Sequence, residues 1–313
     1  MFKIILSRFL QGVIALVSVL TLTFFLCRLT PGNPFDNDKQ IPEHIRAKIE
    51  EAWGLDQPLV VQWGKSLLNA AQGFPQPSFG NSGFSVREII AQSFPVSFTI
   101  AVFGMLIALA IGVPAGVISA SRRNTGVDYS IMSLALFGIC LPTFVIGPML
   151  AIVFGLELGW FPALGWGEPA DLVLPCVTLG LFYGAYIARL SRSGMLDTLS
   201  QDFIRTAKAK GLPEWRILII HALRGGLIPV VNYLGPAFAG LISGSFVVET
   251  IFNMPGLGTH FINAAGNRDY SLIQGTVAVL AVLILVANFL ADVLQILLNP
   301  RLRGGSAETK AAS

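Results

Sequence analysis

Residues 97–119 read SFTIAVFGMLIALAIGVPAGVIS, twenty-three consecutive positions without a charged side chain. A helix crossing a hydrocarbon layer ~30 Å thick takes about 20 such residues. The glycines and proline in this run weaken a soluble helix, but membrane helices use them for close packing and kinks. Five further runs of similar character lie at 9–29, 131–154, 172–189, 229–248 and 274–297. In 172–189, Pro175 and Gly180 interrupt the apolar pattern, which a span tolerates where neighbouring helices satisfy the freed backbone. The composition agrees: 53% of residues are hydrophobic, 12% are charged, and the mean hydropathy is +0.68. Soluble chains carry about twice that charge. The expected fold is therefore an all-α membrane protein with six transmembrane helices in a single domain over 1–313.

Lys3 and Arg8 precede the first run as they would in a secretory signal. Its apolar stretch exceeds the ~7–15 residues of a signal core and no small-x-small cleavage site follows, so it reads as a retained helix. With both termini placed in the cytoplasm, fourteen of the 21 Lys and Arg residues fall inside and seven outside. The excess grows when the long first outer loop is discounted, and it orients both termini inward.

The polar residues exclude several kinds of chemistry. Cys27, Cys140 and Cys176 lie in or beside apolar runs without a CxxC spacing and read as buried thiols. His44, His221 and His260 lie far apart and read as surface or packing residues, so no metal site is expected. No H-E-x-x-H or G-x-S-x-G occurs, and no catalytic residue is assigned. Gly64-Lys65-Ser66 imitates the end of a phosphate-binding loop, but the pattern needs Gly where Leu59 stands. With no nucleotide site of its own, the chain must draw energy from a partner. An ion-coupled secondary transporter would need acids near the bilayer midplane. Only Asp292 lies deep in a span, and it reads as an inward hydrogen-bonding residue. Glu249 and Arg28, near the outer ends of their spans, read as reaching interfacial water.

Three segments lie outside the spans. The outer segment 30–95 is too long for a hairpin. Within it, 42–54 reads as a short amphipathic helix with Ile45, Ile49 and Trp53 on one face and Gly54 at its end. The segment forms a small cap, and two readings stay open: a passive lid, or a docking surface for an external partner. The inner segment 191–228 is basic and reads as helix–turn–helix. Ser200 caps a helix over 201–210, Gly211 supplies a left-handed stop, and Pro213 opens a second helix with Glu214 in its first turn. Trp215, Leu218, Ile219 and Ala222 form its apolar stripe. Two readings apply here as well: a pair lying on anionic lipid, or a rigid elbow that inserts into a partner and transmits motion. In the outer loop 249–271, Asn253, Pro255 and Gly256 mark a tight re-entry. Asn263, Asn267, Arg268, Asp269 and Tyr270 form an exposed polar surface. Within the spans, Gly112-x-x-x-Gly116 and Gly240-x-x-x-Gly244 present small faces that serve packing or pore gating, and Pro114 and Pro236 kink their helices.

Arg205-Thr206-Ala207-Lys208-Ala209-Lys210-Gly211 resembles the cytoplasmic coupling motif of binding-protein-dependent ABC importers, written E-A-A-x-x-x-G. Tyr186-Ile187-Ala188-Arg189, Thr30-Pro31-Gly32, Gly54-Leu55-Asp56-Gln57-Pro58-Leu59, Glu249-Thr250-Ile251-Phe252-Asn253-Met254-Pro255-Gly256, Asn267-Arg268-Asp269-Tyr270-Ser271 and Asn299-Pro300-Arg301 are similar to the peptide-importing branch, in particular its B-type permease subunits. The resemblance covers nearly the whole chain. It departs from the general motif at Arg205 and Thr206, which replace Glu and Ala, and at Pro229, where the general Pro aligns near Arg224.

The resemblance implies the type I importer permease fold. It implies a second homologous permease, two ATPase subunits that carry ATP and Mg, an extracytoplasmic peptide-binding protein and an oligopeptide substrate. No cofactor is expected in this chain. Membrane lipid is an expected neighbour and nucleic acid is not. Coupling falls to Arg205, Thr206, Ala207, Lys208, Ala209, Lys210, Gly211 and Glu214. Binding-protein docking falls to Asn253, Pro255, Gly256, Asn267, Arg268 and Asp269. Pore or packing roles fall to Gly112, Gly116, Pro236, Gly240 and Gly244. The mechanism implied is alternating access driven by the ATPases. Dipeptide, murein-peptide and nickel importers remain sister readings.

Overall fold

The computed structural model describes residues 2–30, 54–80 and 83–298, with side chains from Leu10 onward except Asp292 and 294–298. The amphipathic helix expected at 42–54, most of Thr30-Pro31-Gly32, Asn299-Pro300-Arg301 and the Asp292 side chain lie outside the described residues. The described chain is helical, in the order α1 (Phe2–Leu29), α2 (Leu59–Ala71), α3 (Val86–Ser121), α4 (Gly126–Cys140), α5 (Thr143–Leu150), α6 (Val173–Leu199), α7 (Asp202–Ala209), α8 (Glu214–Arg216), α9 (Leu223–Gly226), α10 (Ile228–Ile251), α11 (Leu257–Gly266) and α12 (Tyr270–Leu298). Among the described residues, five helices are long and apolar enough to cross a membrane: Leu10–Leu29, Val86–Ser121, Pro169–Leu199, Ile228–Ile251 and Tyr270–Ala291.

A sixth candidate is a bent helix pair. Gly126–Cys140 and Thr143–Glu157 meet at 102°, where the sequence reads as one span at 131–154. Pro142 has no N–H to continue the ladder, and it forces Leu141 into an extended conformation; Leu141 has φ −85° and ψ 119°. Pro175, by contrast, leaves α6 unbroken because it falls in the first turn, where no intrahelical donor is needed.

The chain packs as two units, Met1–Ser97 with Pro255–Leu285, and Phe98–Met254 with Val286–Ser313. The first has an apolar core of Leu20, Phe74, Val86, Ile89, Ala264, Leu272 and Ala278. Polar ties surround it. The Trp63 indole donates to the Thr21 hydroxyl at 3.1 Å, and the Ser66 hydroxyl donates to Gln274 Oε1 at 2.7 Å. Gly64-Lys65-Ser66 therefore lies inside α2, where no phosphate loop exists. The exposed face of α1 carries Leu10, Val13, Ile14, Val17, Leu22 and Leu26, as a lipid-facing helix should.

In the second unit α6 is the central helix. Gly112 and Gly116 of α3 rest directly on it: a Cβ at Gly112 would lie 2.5 Å from the Gly184 carbonyl, and one at Gly116 would lie 2.5 Å from that of Ala188. Backbones this close exclude any side chain, which is what small-x-x-x-small spacing permits. A buried ion pair ties the same helix to α4. Asp128 accepts from Arg192 Nε and Nη2, both at 2.7 Å, from the Asn124 N–H at 2.9 Å and from the Ser119 hydroxyl.

Candidate functional site

The elbow follows α6 directly. Ser200 does not cap the next helix. It stays in the helical conformation, and its hydroxyl donates back to the Asp197 carbonyl at 2.8 Å. Gln201, with ψ 152°, occupies the cap position of α7 without a side-chain bond. The stop at Gly211 has φ +73°. The Gly211 N–H donates to the Lys208 carbonyl at 2.9 Å and the Leu212 N–H to the Ala207 carbonyl at 3.3 Å, the paired bonds of a Schellman turn. Leu212 then packs against the buried cluster that holds Ile204 and Ala207, which closes the turn with an apolar contact.

This fixes what α7 presents. Ile204 and Ala207 are buried against Met195, Ile217 and Ala222. Arg205, Thr206, Lys208, Ala209, Lys210, Gly211 and Glu214 are exposed. Of the coupling candidates, Ala207 thus anchors the helix from inside while the others face outward. Arg205 and Asp202 form a surface pair at 3.4 Å, worth little by itself.

The apolar stripe of the second arm differs from the expected one. Trp215 and Ile219 are each 57% exposed, while Ile217 and Ala222 are buried. The cause is a π-helical turn over Ile217–Ala222, whose wider winding shifts which positions face inward. Phe203, Trp215, Ile219 and Ile220 are all exposed large apolar residues of this elbow, with the Arg216 guanidinium 5.5 Å from the centre of the Trp215 ring. Reading for an inward stripe missed this surface, although an aromatic in the first turn of a basic segment was the available signal.

Of the outer-loop candidates, Asn253, Pro255 and Asn267 are exposed and Arg268 is half-buried, whereas Gly256 and Asp269 are buried. The exposed polar surface expected over Asn263–Tyr270 therefore stops short: Asp269 is 1% exposed and Tyr270 8%. Asp269 accepts from the Ser78 hydroxyl, the Gly80 N–H at 3.0 Å and the Leu272 N–H at 3.0 Å. A carboxylate here caps α12 and ties it to the turn after α2, so it is a structural hub. Burial pushes the His260 imidazole below its ordinary pKa. Glu249 is likewise buried and accepts from the Ser245 hydroxyl at 2.8 Å, contrary to the expected contact with interfacial water. Arg28 is half-buried, its guanidinium 4.8 Å from the Tyr270 ring centre.

The pore or packing candidates separate. Gly112 and Gly116 pack on α6. Pro236 is exposed on α10. Gly240 receives the Tyr183 side chain, whose Cζ would lie 3.2 Å from an added Cβ. Gly244 borders a cavity of about 350 Å³ together with Cys140, Thr143, Leu179, Phe182 and Tyr183. Cys140 is exposed and Cys27 half-buried, so only Cys176 is the buried thiol expected of all three.

A helical multi-pass bundle whose central helices lead into an exposed two-arm elbow is the type I permease fold of ABC importers. The chain belongs to the binding-protein-dependent transport system inner membrane component family, whose model matches residues 112–304. It is 42% identical over 305 residues to the oligopeptide transport system permease protein OppB of Escherichia coli (strain K12), an alignment covering 97% of this chain and all of that one. It is 39% identical to the dipeptide transport system permease protein DppB of Bacillus subtilis (strain 168), over 97% of this chain and 98% of the other. Inward-facing structures of the MetNI methionine ABC transporter superpose with a TM-score of 0.57 at 16% identity, covering 67% of this chain and 96% of theirs. That likeness concerns the fold alone. The chain is thus a multi-pass membrane permease of ABC transport.

Proposed function

We propose that this chain is one of two permease subunits of an ATP-driven importer that moves peptides, oligopeptides in particular, delivered by an extracytoplasmic binding protein. The observation that carries the reading is the elbow. A two-turn helix held by Ile204 and Ala207 ends in a Schellman turn at Gly211 and turns basic and aromatic side chains outward. A connector between two spans has no need of such a shape. A rigid knob that receives a push from a partner does, because packed helices pass displacement on whereas loose loops absorb it. Identity to an oligopeptide permease over 97% of the chain supports the substrate class.

In this reading both termini and the elbow are cytoplasmic. Arg205, Thr206, Lys208, Lys210, Gly211 and Glu214 meet an ATPase subunit, with Phe203 and Trp215 as apolar anchors. ATP and Mg reside on the two ATPases, and this chain catalyses no reaction and holds no cofactor. Asn253, Pro255, Asn267 and Arg268 meet the binding protein on the outer side. ATP-driven closure of the ATPases turns the spans outward to receive the peptide, and hydrolysis returns them inward. Affinity purification of the tagged subunit tests this. The expected eluate contains a second permease and ATPase chains, and loses the ATPases when Lys208 and Trp215 are replaced by Glu and Ala. Elution of the subunit alone from membranes that contain those chains contradicts it.

A further inference from the structure

The exposed stripe of α10 is chemically unlike that of α1. It carries Asn232, Pro236, Ser243, Val247 and Thr250, at spacings of four, seven, four and three that keep one helical face. The Thr250 hydroxyl is satisfied by the Phe246 carbonyl at 2.9 Å, but among the described residues the Asn232 amide and the Ser243 hydroxyl have no hydrogen-bond partner, and lipid cannot satisfy either. This face therefore meets water or protein. Beside it three tyrosines cluster. Tyr186 lies 6.1 Å from Tyr233 and 5.5 Å from Phe182, and Phe182 lies 5.2 Å from Tyr183, centre to centre. Among the described residues none of the three tyrosine hydroxyls has a hydrogen-bond partner, and none is sealed from solvent. Gly240 is the position that lets Tyr183 lie across α10, where a Cβ would run into its hydroxyl. Tyr183 also walls the 350 Å³ cavity opened by the break at Pro142, and no charged side chain lines that cavity.

We infer that this cavity, with Tyr183, Tyr186 and Tyr233, is a stretch of the translocation path that holds the peptide main chain. The inference rests on the importer reading and specifies how the substrate is recognised. Free hydroxyls give and accept hydrogen bonds and so match both halves of an amide. Aromatic faces pack on side chains of many kinds. An uncharged lining neither favours nor repels acidic or basic residues in transit. The surface thus reads the repeating amide and ignores side-chain charge, leaving that discrimination to other parts of the system.

The test uses the complete importer in proteoliposomes, with Cys27→Ser and Cys176→Ala leaving Cys140 as the reporter. Probes are tripeptides of Ala, Lys or Glu, each at saturating loaded binding protein. A net hydrogen bond corresponds to about two- to ten-fold. The combined variant Tyr183→Phe, Tyr186→Phe, Tyr233→Phe is therefore expected to slow uptake about ten-fold or more, alike for all three peptides. Assembly and binding-protein-stimulated ATP hydrolysis stay intact, and peptide slows maleimide labelling of Cys140 during turnover. Unchanged uptake overturns the inference, as does a loss confined to one charge class. Failed assembly overturns it too, by making the face a subunit interface. If the parent importer carries none of the three peptides, the importer reading itself falls.

Discussion

Replacing Asp128 by Ala removes the acceptor of four donors at once: both Arg192 bonds, the Ser119 hydroxyl and the Asn124 N–H. The Asp128 side chain is 2% exposed and that of Arg192 26%. Breaking a buried pair by deleting one partner costs roughly 3–5 kcal/mol, because the other charge is left uncompensated. Arg192 keeps partial access to water, so the lower end applies. The Asn124 N–H is exposed and turns to water, whereas the Ser119 hydroxyl is fully buried and loses its acceptor, which adds about 1 kcal/mol. The expected loss is about 4 kcal/mol for Asp128→Ala. The double variant Asp128→Ala/Arg192→Ala should be less damaged than the sum of the singles, with a coupling of about 2 kcal/mol, because no lone charge remains. Reversible unfolding of the purified subunit in mixed detergent micelles measures all four corners of the cycle. A single-variant loss under about 1 kcal/mol, or additive singles, would refute the reasoning that this pair is a desolvated tie between α4 and α6.

At Gly211 nothing lies within 4 Å of an added Cβ, so the cost of substitution is one of backbone conformation only. Gly211→Asn should therefore retain uptake, Gly211→Ala should lose part of it, and Gly211→Val should insert normally yet abolish uptake, read in membrane fractions and transport assays. Gly116→Leu should separate α3 from α6 and lower yield and stability by about 3 kcal/mol or more, a loss visible in thermal aggregation of the detergent-solubilised subunit. Asp269→Ala should destabilise the unit built on α2 and α12 by about 2–3 kcal/mol, seen as faster proteolysis near Ser78. Asn267→Ala, at an exposed position, should leave that stability unchanged and weaken only binding-protein affinity, measured by surface-immobilised titration.

What the sequence makes legible here is local. Residues 97–119 announce a span by length and missing charge. Gly211 and Pro213 announce a turn because few other residues serve those backbone conformations. The remainder depends on partners distant in the chain. Asp128 and Arg192 stand 64 residues apart, and no periodicity joins them. Asp269 reads as a loop residue until Ser78, 191 positions away, is seen to donate to it. The π turn at Ile217–Ala222 leaves no compositional mark, so an inward stripe computed at helical spacing put Trp215 on the wrong face. The break at Leu141–Pro142 was legible in principle, because a proline in mid-run removes a donor and restricts its neighbour. Hydropathy averaged across the run hides it.

The central claim is that this chain moves peptide by force received through its elbow. The most direct test is uptake of a labelled oligopeptide into proteoliposomes holding the purified assembly, with binding protein outside, identical salt on both sides of the membrane and an uncoupler collapsing the proton gradient. We predict uptake that requires ATP in the lumen, survives the uncoupler and disappears with Gly211→Val while the assembly stays intact. Uptake that stops with the uncoupler and proceeds without ATP would contradict the account and make the chain an ion-driven carrier.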